Sequence, residues 1–307
     1  MHIKNCLLRF IALLLLACLL VSCVGTADDM QSDTENVSFP ADSYKDDTTD
    51  SETLRAYVLN VGQSSCLVLK SGREYAVVDT GDRAHASYVF SAISNQKYIG
   101  TSRISYLFFT HYDADHIGAG PGIIQKLKVK NVYGPDYVPK EKSKTYVSLM
   151  NSIKDQGLKM KKPIIGERII LGDCTITIVA PSSYSGNEND NSIALLIEDD
   201  YGNAMYVGGD CEAKSEQKQV PFLKEVDVYI VNHHGAKESS SYDLLAALNP
   251  EYAIISCGRD NTYGHPHKET LDRLNNADCE IIYTYDVGEG ENISFSFTKD
   301  GVKFLNK

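Results

Sequence analysis

The stretch Thr110-His111-Tyr112-Asp113-Ala114-Asp115-His116-Ile117-Gly118 constrains this chain more than any other. It follows the strand-like run Tyr106-Leu107-Phe108-Phe109 and gathers four groups able to hold a cation, His111, Asp113, Asp115 and His116. Side chains alternate along a strand, so His111, Asp113 and Asp115 share one side of an extended segment and are aimed at one point where it ends. His116 is expected to open a helix. Two imidazoles and two carboxylates converging there suit one or two divalent cations; the plainer reading is a polar loop with capping aspartates. The remaining histidines weigh toward the first. Beyond the N-terminal segment, only His85 lies outside a glycine-flanked cluster at the end of an apolar run.

Ahead of this region, Lys4 and Arg9 precede the apolar run Phe10 to Val21, too short for a comfortable membrane span and suited to an export signal. The run ends Leu20-Val21-Ser22-Cys23, which resembles the bacterial lipoprotein cleavage box. The expectation is a signal peptide over residues 1–23, a lipid anchor on Cys23 and a location on the outer face of the cytoplasmic membrane. Residues 24–53 carry nine acidic side chains against Lys45 alone, with Ser and Thr filling most of the rest. Such a segment buries almost nothing and reads as an extended tether. Residues 54–307 then form one domain. Without the two basic residues of the leader and the net −8 of the tether, the formal −11 becomes about −5 for the domain. That mild acidity argues against a tight, non-specific binder of nucleic acid. It also hides a local excess of base between Lys126 and Arg168, either a solvated helical face or a rim that attracts phosphate.

After Cys23, Cys66, Cys174, Cys211, Cys257 and Cys279 show no CxxC spacing, so a thiolate zinc site is not expected and buried thiols are the default. Short apolar runs at Arg55 to Val61, Ser65 to Leu69 and Glu74 to Val78 read as three successive strands. Helices are expected over Ala86 to Gln96, Ile123 to Lys128 and Lys144 to Gln156. Later, strands at Val226 to Val231 and Tyr252 to Ser256 alternate with helices at Ser240 to Leu248 and Lys268 to Asn276, and Ile293 to Phe297 closes the chain. This order suggests an α/β layered domain, sheets covered by helices.

Other chemistry-bearing residues also stand at the ends of apolar runs: Asp79 in Val78-Asp79-Thr80-Gly81, Asp210 after Gly208-Gly209, His233-His234-Gly235, and His265 and His267 in Tyr263-Gly264-His265-Pro266-His267. Loops at one edge of a sheet are where α/β proteins place their sites. Together with Leu59-Asn60-Val61-Gly62-Gln63 and Thr110 to Gly118, this ordered set resembles the metallo-β-lactamase superfamily. Within it, the set is most similar to the ComEC-type branch, the soluble hydrolase domain of a bacterial DNA-uptake channel. The resemblance covers residues from about 55 to the C-terminus and implies an αββα sandwich.

It further implies that His111 and Asp113 hold a first metal, that Asp115, His116 and one of His233 and His234 hold a second, and that Asp210 bridges them. A ligand often stands as His-Gly in the superfamily, which favours His234 and leaves His233 to contact substrate. Asp79 would support the metal loop without ligating, and His265, joined by His267, would orient or protonate a leaving group; for His267 helix capping is an equal reading. Asp115, His233 and His265 are thus the candidate catalytic residues. Two departures stand out. No histidine occurs between His116 and His233, so the first metal lacks its usual third ligand, for which Asp190, Asn191 or water is considered. Gly62-Gln63-Ser64-Ser65 also replaces the Gly-Gln-Gly-Asp of ComEC-like domains.

The activity implied is metal-dependent hydrolysis by a water activated between two divalent cations, zinc and/or manganese. A phosphoester substrate suits such a site, with extracellular nucleic acid leading by family analogy. A phosphocholine-esterase-like enzyme acting on cell-wall polymers, a β-lactam hydrolase and an inert metal-binding module remain the alternatives. No obligate protein partner is inferred.

Overall fold

The computed structural model describes residues 52–306 apart from 97 and 288–290. The expected signal peptide, lipidated Cys23 and nearly all of the tether lie outside the described residues. Glu52 and Thr53, read from sequence as the end of the tether, instead begin the first strand. Thr53 is buried there and its hydroxyl donates to Asp199 at 2.6 Å and to the Phe297 carbonyl.

Among the described residues, fifteen strands form two sheets. The first contains β1 (Glu52–Leu59), β2 (Leu67–Ser71), β3 (Glu74–Val78), β4 (Arg103–Phe108), β5 (Lys128–Tyr133), β6 (Met160–Lys161), β14 (Asn292–Thr298) and β15 (Gly301–Phe304), in the order β15-β14-β1-β2-β3-β4-β5-β6. The second contains β7 (Arg168–Leu171), β8 (Cys174–Ala180), β9 (Ala194–Asp199), β10 (Ala204–Val207), β11 (Val228–Ile230), β12 (Tyr252–Ile255) and β13 (Glu280–Tyr283), in the order β13-β12-β11-β10-β9-β8-β7. Each sheet passes from antiparallel to parallel pairing: β3, β4, β5 and β6 run parallel in the first, and β10 to β13 in the second. A parallel neighbour requires a crossover. The crossovers carry the helices Ala86–Ser94, Ala114–Ile117, Gly120–Lys126 and Lys144–Asp155 on the first sheet, and Ala213–Gln219, Tyr242–Leu248 and Lys268–Asn276 on the second.

The two-residue period of a strand explains how one apolar run serves two cores. Leu67 and Leu69 of β2 face the other sheet, where they join Leu54, Val58, Phe295, Ile176, Leu195, Met205 and Ile254. Val68, between them, faces the helices and packs with Val89, Ile93, Ile124 and Leu149. On the far side, Tyr206, Tyr229 and Ile255 meet Leu244, Leu248 and Leu274. At about 1.5–3 kcal/mol for each large apolar side chain removed from water, these three layers hold the αββα sandwich together.

Element boundaries moved for local reasons. The strand expected to reach Val61 stops at Leu59, because the chain turns through Gly62 at φ 64°. The helix expected from Ile123 starts at Gly120, with Pro121 in its first turn where no N–H is needed. Strand β14 does not close the chain; Gly301 turns it back into β15. Among the described residues, the cysteines are unpaired thiols, Cys66, Cys174, Cys211 and Cys257 buried and Cys279 partly so. Among the described residues, no helix is long and apolar enough to cross a membrane.

Candidate metal centre

Five parallel strands end at one rim of the sandwich, and their C-terminal loops carry the polar residues singled out above. After β3, Asp79 adopts φ 58°, a left-handed turn that a short polar side chain tolerates. Its carboxylate accepts the Thr110 amide at 2.8 Å on one oxygen, and the Thr110 hydroxyl and His116 Nδ1 at 2.7 Å each on the other. After β4 come His111 and Asp113, then the four-residue helix Ala114–Ile117. His116 is therefore inside that helix and does not open it.

After β10, Gly208 and Gly209 deliver Asp210, which is buried. A side chain at Gly209 would bring its Cβ to 2.6 Å from Thr110 Cβ, so glycine is what lets the loops of the two sheets touch. After β11, His233 and His234 both take left-handed backbone, φ 51° and 54°. That conformation costs roughly 1–2 kcal/mol per residue for L side chains. The turn is held from beneath by Glu216 of helix Ala213–Gln219, whose carboxylate accepts from Asn232 Nδ2 at 2.8 Å, Ser240 N at 2.7 Å and Ser241 N at 2.8 Å.

The resulting cluster is tight. Asp210 Oδ1 lies 3.2 Å from His116 Nε2 and 3.8 Å from His234 Nε2. Asp210 Oδ2 lies 3.7 Å from His111 Nε2 and 3.6 Å from His233 Nε2. Asp115 Oδ2 stands 3.5 Å from His234 Nε2 and 3.9 Å from His116 Nε2, and Asp113 Oδ2 stands 3.7 Å from His111 Nε2. Most of these separations are too long for hydrogen bonds. They match the spacing of ligand atoms around a shared cation: atoms about 2.0–2.2 Å from a tetrahedral centre stand about 3.3–3.6 Å apart.

The hydrogen-bond pattern tests the fit independently. His234 Nδ1 donates to the Ser256 carbonyl at 2.7 Å, and His116 Nδ1 donates to the Asp79 carboxylate. The Thr110 hydroxyl gives its proton to Asp79, so at 3.1 Å from His111 Nδ1 it accepts. Each ring, in its neutral form, therefore has a bare Nε2 turned into the pocket. His116 Nε2 and His234 Nε2 face one another at 3.2 Å, and buried His111 Nε2 has no hydrogen-bond partner among the described residues. Opposed lone pairs repel unless a positive charge lies between them. The donor set fits divalent cations.

The electrostatics agree. Burial works against a charged His116, yet the carboxylates of Asp210, Asp79 and Asp115 outweigh it and hold its pKa well above the usual histidine range. His234 is raised by Asp210 and Asp115 against the same burial. Burial likewise opposes ionisation of Asp210 and Asp115, and the facing imidazoles hold both well below the usual carboxylate range. The pocket draws in positive charge, and a cation competes there with protons.

His265 lies on the rim, its ring 5.6 Å from that of His233 and 5.7 Å from exposed Tyr263. Burial and the neighbouring imidazoles push its pKa down to about 4. His267 occupies the N-cap position of helix Lys268–Asn276 without a side-chain cap bond; its Nδ1 accepts the Lys237 amide at 3.1 Å. Of the residues considered for the first metal's third ligand, Asn191 has its amide engaged by both backbone groups of Ser185. Asp190 sits among Glu212, Lys214 and Lys218. Three supporting groups escaped the sequence reading: the Thr110 hydroxyl, the Ser256 carbonyl and Glu216. Only Thr110, inside the motif, carried a signal.

The family model described as the metallo-beta-lactamase superfamily matches residues 59–259. The ComE operon protein 3 of Bacillus subtilis is 27% identical over 60% of this chain and 24% of its own length. Recombination protein 2 of Haemophilus influenzae is 29% identical over 72% of this chain and 26% of its own length. The chain thus spans about a quarter of the length of each of these two relatives. Among solved structures, the E377D mutant of CmlA beta-hydroxylase, an enzyme of Streptomyces venezuelae, superposes with a TM-score of 0.50 at 13% identity, over 81% of this chain and 54% of that one, a likeness of fold alone.

Proposed function

From the premise that the chain belongs to the metallo-beta-lactamase superfamily, a fold of metal-dependent hydrolases generally, we propose that it is a phosphodiesterase acting on nucleic acid. The observation that carries this reading is the pair of ligand sets meeting on the two oxygens of Asp210, which suits two cations side by side and an anionic substrate spanning them. His111, Asp113 and Asp210 would hold one cation, and Asp115, His116, His234 and Asp210 the other. Bound there, the pair supplies a water of lowered pKa and a positive clamp on phosphate oxygens.

The protein's own residues do the rest. Asp79, Thr110 and the Ser256 carbonyl fix three imidazoles in the tautomer that leaves Nε2 bare. Asp115 stays ionised and part-exposed, placed to accept a proton from an attacking water. His265, held neutral at pH 7, orients a phosphoester through its ring N–H more readily than it delivers a stored proton. The relative named for recombination favours a nucleic-acid diester over a phosphorylated wall polymer. The same proposal places the domain outside the cytoplasmic membrane, anchored through Cys23 and the acidic segment behind it.

The test is turnover of bis-p-nitrophenyl phosphate, p-nitrophenyl phosphorylcholine and nitrocefin by the Mn2+- or Zn2+-loaded protein. The diester should be the substrate, and Asp210→Ala should cut its turnover by more than the about 10–100-fold typical of losing a supporting residue. Preference for the phosphorylcholine ester or nitrocefin, or no turnover at full occupancy, would refute the assignment.

A further inference from the structure

The sequence leaves the first cation short of a ligand, and the backbone at His233 bears on that gap. Consecutive residues of an extended strand point to opposite faces. His233 and His234 do not, because both take left-handed backbone, and the two rings reach the same carboxylate from neighbouring positions. They divide it between them. His234 Nε2 faces Asp210 Oδ1, the oxygen that also faces His116, whereas His233 Nε2 lies 3.6 Å from Oδ2, the oxygen that stands 3.7 Å from His111 Nε2. The His233 backbone amide donates to the Gly209 carbonyl at 3.0 Å, which ties the ring to the Asp210 loop. Its Nδ1 is buried with no hydrogen-bond partner among the described residues, and its Nε2 opens on the pocket where His111 Nε2 is also unpaired.

The structure assigns His233 as the nitrogen ligand that completes the first cation site with His111, Asp113 and Asp210. This rests on reading the pocket as a paired-cation centre. The histidine missing between His116 and His233 is replaced from the other side of the pocket, by the residue adjacent to the second site's own ligand. Each site then has two imidazoles, one carboxylate of its own and one oxygen of Asp210. The first site is thereby no richer in oxygen than the second, and both should take the same metal.

The test is His233→Asn in the full chain, loaded with Mn2+. Asparagine tolerates left-handed backbone, so the turn is kept, while the shorter side chain withdraws the ligand atom. Elemental analysis and calorimetric titration should find two equivalents of Mn2+ in the wild type and one in the variant, with the melting temperature of the metal-free proteins confirming that the variant folds. Pulsed electron paramagnetic resonance of the wild type should show two imidazole nitrogens on each ion, and needs no variant. Two equivalents retained in His233→Asn with only KM raised would overturn the assignment in favour of a substrate contact. A wild type that takes up one ion, or a single nitrogen on the first, would overturn it as well. A protein that loses one ion on substitution but never hydrolyses a phosphodiester would leave the ligand standing and sink the proposed activity alone.

Discussion

Glu216→Ala should be among the most damaging single truncations in this domain, although Glu216 reaches the pocket only through the turn it holds. The side chain is fully buried and its carboxylate accepts three hydrogen bonds, from Asn232 Nδ2, Ser240 N and Ser241 N. Hydrogen bonds to a charged group contribute about 1.5–3 kcal/mol each. Burial works in the other direction: it pushes the Glu216 carboxyl above the usual range against the pull of the Ser241, Asn232 and Ser240 donors. The low end per bond therefore applies, and three orphaned donors sum to about 4–5 kcal/mol. At about 2–4 °C per kcal/mol for a domain of this size, the melting temperature should fall by roughly 9–18 °C. Glu216→Gln separates charge from shape. It keeps an acceptor for Asn232 and Ser240 and sets one N–H against that of Ser241, for a loss of about 1–3 kcal/mol. Urea unfolding and thermal melts in the presence of a chelator would measure both. An alanine variant within about 1 kcal/mol of wild type, or a glutamine variant as damaged as alanine, would refute the accounting of donors.

Asp79→Asn replaces the oxygen that receives His116 Nδ1 and the Thr110 hydroxyl, so Mn2+ affinity by calorimetry should fall about 10–100-fold, and unchanged affinity would show that His116 needs no such support. Gly118→Ala would set a methyl carbon 2.2 Å from the Asp82 carbonyl carbon and 2.3 Å from the Arg83 nitrogen, both backbone atoms that cannot rotate away. Urea unfolding should register a loss of about 1–3 kcal/mol or more, and a variant as stable as wild type would mean the two loops separate freely.

The layered fold and the cluster were legible because both rest on local alternation. Apolar runs a few residues long mark buried strands, and a histidine or aspartate directly after one marks a loop at the sheet edge; His111, Asp113, Asp210 and His234 were found this way. What stayed hidden depends on turns and distance. A residue pair such as His233-His234 carries no mark of its backbone conformation, so the sequence offered one ligand and one substrate contact where the structure turns both rings onto Asp210. Glu216 looks like an ordinary helix residue, and nothing near it in sequence announces the buried amides of Ser240 and Ser241. The end of the tether was misplaced because Glu52 and Thr53 are polar, and their burial is decided by Asp199 and Ser296 far along the chain.

His111, Asp113, Asp115 and His116 extend from one half of the sandwich, Asp210, His233 and His234 from the other. Either half by itself would present a few exposed side chains with weak, unselective affinity for ions. The full donor set is therefore assembled late in biogenesis, after Ser256 has been made to hold His234 and after β14 has joined β1. Until then the emerging chain has no paired set of donors with which to hold a cation.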